Sequence, residues 1–282
     1  MRIRVIDAFT DRPFAGNPAA VCLLDGDGWP DERWMRDVAV EMNLSETAFA
    51  RPLPAGADAD WALRWFTTVT EVNLCGHATL ATVHALASDG RLPGGSVRFE
   101  TRSGVLTARV EDGSPGSITL DFPAAPAVDT AEPDGLAAAI GAKPEAVYTT
   151  GALGDLMAVL PDEAAVRGLA PDFAAIAAIT DRAGQRGVIV TAPADAGRPY
   201  DYVSRFFAPA VLAGANPEDP VTGSAHTALA PYWAARLGRD GLTAHQVSAR
   251  TGTLHTSLHA DRVHLRGQAT TVLDGTLLPT PA

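Results

Sequence analysis

The sequence predicts an α+β chain made of two similar units, each a sheet wrapped around one buried helix. Three observations carry that expectation. Residues 99–107 are echoed by residues 247–255, with a gap-free Arg-x-Gly-x-Leu core at an offset of 250 − 102 = 148. Upstream, Arg64-Trp65-Phe66-Thr67 leads into Cys75-Gly76-His77-Ala78-Thr79-Leu80-Ala81, while Arg205-Phe206-Phe207-Ala208 leads into Asp219-Pro220-Val221-Thr222-Gly223-Ser224-Ala225-His226. In each half one segment, residues 78–87 and 221–237, is small or apolar all round a helical cylinder, the pattern of a helix buried on every side. Echoes that keep order and spacing point to duplication of one unit.

Taken in order, alternation at residues 2–5 and 19–23 predicts strands, residues 30–41 a short amphipathic helix with Pro30 in its first turn, and residues 47–51 and 63–67 further strands. Beyond the first buried helix, residues 97–100, 106–111 and 118–122 alternate as strands, separated by turn residues such as Asp112-Gly113. The second half repeats the plan: strands at 147–150, 157–160, 188–191 and 203–208, the helix at 221–237, and closing strands at 247–249, 254–258 and 263–266. The Pro- and Ala-rich stretch 123–133 reads as a linker, and residues 135–140 and 174–179 as peripheral helices. The expected domains are therefore residues 1–122 and 123–282, with the extreme C-terminus free to pack back on the first.

Composition excludes several function classes. With 46% hydrophobic and 20% charged residues spread along the chain, the protein is of ordinary globular make-up. A formal charge of −11 with few, scattered basic residues argues against a nucleic-acid partner, which needs clustered Lys and Arg. No apolar run approaches the ~20 residues of a membrane span, and Arg2-Ile3-Arg4-Val5-Ile6 enters a strand pattern without a signal-peptide core, so no membrane association and a cytoplasmic location are expected. Cys22 and Cys75 are too few for a disulfide framework, and the seven His residues show no zinc-type spacing with them, so no structural metal is indicated. P-loop and Gly-x-Gly-x-x-Gly signatures are absent, and chemistry carried by side chains without a cofactor is expected.

Both buried helices begin among small residues, Cys75-Gly76-His77-Ala78-Thr79 in one and Thr222-Gly223-Ser224-Ala225 in the other. A helix N-terminus offers unpaired N–H donors and a partial positive charge, and Gly lets a ligand approach the backbone, so each start suits a small carboxylate. Asp219 followed by Pro220 is equally what an N-cap and first-turn residue look like. Glu46, in Ser45-Glu46-Thr47-Ala48-Phe49, stands at the edge of a predicted strand; partial burial raises a carboxyl pKa toward the range a general acid/base needs, whereas a solvated strand-end Glu has no such role. The matching stretch of the second half, around residues 188–191, has no acid, so the two-fold pattern breaks at Glu46. His77 is a candidate to hydrogen-bond a substrate or simply a packed first-turn His. Cys75 is a candidate nucleophile or base, because a helix start lowers a thiol pKa, or plain packing. His84 and His226, inside the apolar helices, read as core histidines.

Four blocks, Asn17-Pro18-Ala19-Ala20-Val21, Leu44-Ser45-Glu46-Thr47-Ala48-Phe49, Cys75-Gly76-His77-Ala78-Thr79-Leu80-Ala81 and Glu218-Asp219-Pro220-Val221-Thr222-Gly223-Ser224-Ala225-His226, together resemble the PhzF-like phenazine-biosynthesis isomerases over nearly the whole chain. The resemblance implies the diaminopimelate-epimerase-like fold, two duplicated domains each with a curled, mainly antiparallel sheet around a central helix, an active site in the cleft between them, and a homodimer. It implies Glu46 as catalytic acid/base, with Asn17, Cys75, Gly76, His77, Asp219, Gly223 and Ser224 around a small carboxylate substrate. Phenazine-making members isomerise a cyclic dihydroxy-diene carboxylate by removing a proton from one carbon and returning it to another. Epimerases of the same fold use two opposed thiols; here Cys75 occupies one thiol's place and Asp219 is read at the other, so an epimerase or racemase using Cys75 with Asp219 is the alternative, and a non-catalytic small-acid binding protein the third reading. The stretch Thr67-Thr68-Val69-Thr70 departs from the family pattern, in which a Pro commonly follows the Phe-Thr step.

Overall fold

Strand structure begins at the second residue. In the computed structural model, which describes residues 1–92, 94–111, 116–212 and 217–279, β1 (Arg2–Ala8) pairs antiparallel with β2 (Asn17–Leu23). Helix α1 (Glu32–Met42) then leads to β3 (Glu46–Pro52), parallel to β2. Asp31 caps α1 by accepting the N–H groups of Arg33 and Trp34, and Asn43 stops it in the left-handed conformation, so the helix has a defined start and end. β4 (Trp61–Phe66) runs antiparallel to β3 and carries the short β5 (Glu71–Val72). Helix α2 (Gly76–Ser88) leads to β6 (Ser96–Thr101), parallel to β4, and β7 (Gly104–Val110) and β8 (Ser117–Pro123) follow as antiparallel neighbours. The turn expected at Asp112-Gly113 lies outside the described residues.

The remaining elements are β9 (Val128–Asp129), α3 (Leu136–Ile140), β10 (Ala146–Thr149), β11 (Asp155–Val159), α4 (Glu163–Arg167), α5 (Phe173–Ala183), β12 (Gly187–Pro193), β13 (Tyr202–Phe207), β14 (Glu218–Asp219), α6 (His226–Leu237), β15 (Gly241–Gln246), β16 (Gly252–His259) and β17 (Arg262–Thr276). Pairing from β10 to β16 repeats that from β1 to β7: antiparallel, parallel, antiparallel, antiparallel, parallel, antiparallel. The repeat extends to side chains. Arg64 Nε lies 2.8 Å from Glu71 Oε1 and stacks over Phe66, and Arg205 Nε lies 2.7 Å from Glu218 Oε1 and stacks over Phe207.

The chain divides into two compact units, residues 1–121 with 266–282, and residues 122–265. β17 passes from the second unit into the first, where Ala269 to Thr276 pair antiparallel with β1. In the first unit α2 packs against β1, β2, β3 and β7, with Leu80, Val83 and Leu86 all 0% exposed. Each such burial stabilises the fold by about 1.5–3 kcal/mol. β17 passes so close to this helix that a Cβ at Gly267 would stand 2.4 Å from Phe9 Cδ1 and 3.3 Å from Leu80 Cδ1, which only glycine avoids. The second core gathers α3, α5 and the inner strands around Ile140, Ile176, Val190 and Phe207.

Three expectations are corrected. The apolar run at 221–237 is not one helix: a 3₁₀ turn (Gly223–Ala225) precedes α6, because Thr222 N–H donates to Gln246 Oε1 (2.9 Å) and its hydroxyl to Asp219 Oδ2 (2.6 Å), which holds the chain non-helical there. Pro231 lies inside α6 and cannot bond the Thr227 carbonyl; that carbonyl accepts Ala125 N–H at 3.0 Å instead. Residues 247–249, expected as a strand, form the turn after β15: Ser248 Oγ bonds the Pro220 carbonyl (2.7 Å) and accepts Thr251 N–H (3.2 Å), and Thr251 has φ 55°. The stretch 123–133 is more than a linker, since β9 within it pairs with β10. Helix α4, which no periodicity announced, is set by Asp162 accepting Ala165 N–H at 2.7 Å. Among the described residues no helix is long and apolar enough to cross a membrane.

Candidate active site

Parallel pairing places Asn17 and Glu46, the first residues of β2 and β3, at one end of the sheet, with Ala19 opposite Glu46. β5 delivers the chain to the start of α2 at the same end, so Cys75, Gly76 and His77 join them. His77 Nδ1 stands 3.2 Å from Asn17 Nδ2 and 3.5 Å from Cys75 Sγ, and its Nε2 stands 3.3 Å from Glu46 Oε2. Asn17 is 0%, His77 4% and Cys75 5% exposed, so the carboxylate, part exposed, is the side of the cluster open to a ligand. With the Asn17 amide donating to Nδ1, the imidazole carries its proton on Nε2, toward Glu46. That buried Nε2 makes no hydrogen bond, a costly state that a bound oxygen atom would relieve. Cys75, at the N-cap of α2, gives no side-chain cap, so the positive end of the helix meets this cluster without a capping side chain.

Burial lowers the pKa of His77 to about 3, which keeps the ring neutral at pH 7. His226, buried with its Nδ1 2.9 Å from the Tyr202 hydroxyl, is lowered to about 3 by the same cause. Both folded-state values lie below the ordinary value of 6.5, so the folded state binds fewer protons than the unfolded chain between the two limits. Their contribution is present above pH 6.5 and is lost as pH falls toward 3. The urea midpoint is therefore expected to fall between pH 7 and pH 5, before most carboxylates titrate, while the His77 ring resonances stay unshifted.

In the second unit Asp219 ends β14, 6% exposed; its carboxylate accepts the Thr222 hydroxyl and its carbonyl accepts Gln246 Nε2 at 2.8 Å. It is not the cap of α6, which begins seven residues later. Gly223 and Ser224 lie in the 3₁₀ turn, and Ser224 Oγ is 3.1 Å from Arg186 Nη2. Arg186 in turn grips the fully buried Asp155 through Nε (3.0 Å) and Nη2 (2.7 Å). Arg186, Asp155 and Gln246 were not singled out by the sequence; the available signal was Arg186 beside Gly187.

Register makes the comparison of the two helix starts exact in residue number. Phe66 faces Glu71 and Phe207 faces Glu218, so Cys75, Gly76 and His77 correspond to Thr222, Gly223 and Ser224. The reading of Asp219 at the second thiol's place is corrected: that position holds Thr222, and Asp219 corresponds to Val72. Glu46 corresponds to Gly187, since Thr47 faces Phe66 and Val188 faces Phe207. A Cβ at Gly187 would lie 2.7 Å from both Phe206 Cζ and the Phe207 carbonyl, so the second unit has no room for an acid there. The Pro missing after Phe66-Thr67 is replaced by the Thr67 hydroxyl, which accepts the N–H groups of Val69 (3.1 Å) and Thr70 (3.0 Å) and closes the turn.

The family described as "Phenazine biosynthesis-like protein" matches residues 6–275. An uncharacterised isomerase of Pseudomonas aeruginosa is 47% identical over 272 residues, covering 96% of each chain. The crystal structure of a phenazine biosynthesis protein PhzF family member from Enterococcus faecalis superposes with a TM-score of 0.85 at 38% identity, covering 97% of each chain. A probable proline racemase of Agrobacterium radiobacter, 12% identical with a TM-score of 0.66 over 99% of this chain and 93% of its own, shares the fold alone. The expected α+β, diaminopimelate-epimerase-like fold is the one observed.

Proposed function

The chain belongs to the phenazine biosynthesis-like protein family and is an isomerase, and on that footing we propose that it moves a proton within a small carboxylate-bearing substrate, with Glu46 as the acid/base. The observation that carries this reading is the unpaired duplication: Glu46 meets a neutral His77 at an uncapped helix start, and the equivalent place in the second unit is Gly187. Glu46 as carboxylate takes a proton from a carbon beside a conjugated system. Charge left on the substrate is stabilised by the first N–H groups of α2 and by His77 Nε2–H. The same carboxyl, now protonated, returns the proton to a second carbon, and the enzyme regains its starting state without a cofactor. Asn17 holds His77 in the tautomer this requires; Gly76 admits the substrate to the backbone.

A second reading has its own observation, since the Cys75 thiol stands at the start of α2 with its Sγ within hydrogen-bond reach, 3.5 Å, of His77 Nδ1. The two readings separate on one experiment with a cyclic dihydroxy-diene carboxylate and a panel of small amino and hydroxy acids. On the Glu46 reading Cys75→Ser keeps turnover within about tenfold, while Glu46→Gln removes most of it. Loss of turnover in Cys75→Ser alone, with Glu46→Gln active, transfers the role to the thiol.

A further inference from the structure

Carboxylate, thiol and imidazole meet at the start of α2, and one donor atom each of Glu46, Cys75 and His77 lies within 4.8 Å of the others. The closest approaches are already short, 3.3 Å between Glu46 Oε2 and His77 Nε2 and 3.5 Å between Cys75 Sγ and His77 Nδ1. In a tetrahedral zinc site with bonds of ~2.0–2.3 Å, ligand atoms stand roughly 3.3–3.8 Å apart. The two short approaches meet opposite ring nitrogens, so an ion held by Nε2 and Glu46 requires the Cys75 side chain to swing from Nδ1 toward it, within the 4.8 Å that encloses the three donors. The buried, hydrogen-bond-free Nε2 of His77 points toward the carboxylate, and Asn17 lies 3.2 Å from the opposite ring nitrogen; with its amide turned so that Oδ1 accepts an Nδ1 proton, Asn17 would give the arrangement that orients a metal-binding imidazole.

We propose that Glu46, Cys75 and His77 form a three-ligand site for zinc, open at its fourth position, and that an ion bound there blocks the site to substrate. One oxygen, one nitrogen and one sulfur donor suit a borderline-soft, tetrahedral cation and disfavour magnesium or calcium, which take oxygen. Binding releases the thiol proton to solvent and moves the imidazole proton from Nε2 to Nδ1, so the ring stays neutral; it transfers no electrons and is reversed by a chelator. The ion is an inhibitor, because it occupies the carboxylate that the proposed reaction needs; that consequence rests on the functional reading above, whereas the site itself does not.

The test uses the full chain and metal ions alone. Cobalt(II), added to the chelator-treated protein, is expected to bind at one equivalent with a thiolate-to-metal charge-transfer band in the near ultraviolet, and zinc to displace it. Cys75→Ser should abolish the band with the fold intact by circular dichroism. Glu46→Gln and His77→Ala should each weaken zinc binding by at least the roughly 10–100-fold that removing a group bonded to a metal ligand costs. Cobalt bound without a thiolate band, a band that survives Cys75→Ser, or zinc affinity unchanged from wild type in the three variants overturns the proposal. If the site fails while Glu46→Gln still loses turnover, the functional reading stands; if zinc binds as described while Glu46→Gln turns over normally, the site stands and the functional reading falls.

Discussion

Glu46→Gln is expected to lower kcat by roughly 10²–10⁴-fold, the size of a general acid/base contribution, with substrate binding retained. Glutamine keeps the shape and the contact with His77 but cannot carry a proton in either direction. A fall in kcat with little change in KM is the signature of a group used in the proton transfer rather than in holding the substrate. His77→Ala acts differently on this account. It removes a neutral donor and leaves the carboxylate, so activity falls less and both parameters move.

Arg186→Ala is expected to be the most damaging change to stability outside the apolar cores. Asp155 is fully buried and both its oxygens are bound by Arg186, whose side chain is 30% exposed. Removing one partner of a buried pair costs about 3–5 kcal/mol, with solvent access on the Arg186 side favouring the lower figure. Burial raises the Asp155 pKa and Arg186 opposes that rise. Without the guanidinium the folded-state value climbs further above the unfolded one, so the folded protein takes up a proton and the lost stability grows as pH rises. Thermal unfolding of Arg186→Ala should therefore lie further below wild type at pH 8 than at pH 5, and Asp155→Asn in the same chain should recover part of the difference. A pH-independent deficit contradicts this account of the pair.

The duplication was legible because it is written in residues whose roles are local. Arg64 and Arg205 hold Glu71 and Glu218 across adjacent strands, and both helix starts carry a glycine at the corresponding place. Glu46 stood out because the matching stretch of the second half has no acid, and His77 because it lies among small residues at the start of a buried helix. Asp219 was visible as a residue but misread in register, because the 3₁₀ turn before α6 is fixed by Gln246, a side chain 24 positions from Thr222 in sequence. Arg186 and Asp155 escaped notice since only folding brings β11, the β12 entry and the 3₁₀ turn together. No periodicity reports a long-range side-chain bond. The turn at residues 247–249 misled for the opposite reason: its alternation is strand-like, and the Ser248 bonds that bend it are tertiary.

The central claim is that Glu46 carries the proton. Its most direct test is deuterium incorporation from D₂O into a carboxylate substrate, followed by mass spectrometry for wild type, Glu46→Gln and Cys75→Ser. Label entering with wild type and Cys75→Ser, and absent with Glu46→Gln although that variant still binds the substrate, is the result expected. Label entering at an undiminished rate with Glu46→Gln contradicts the account.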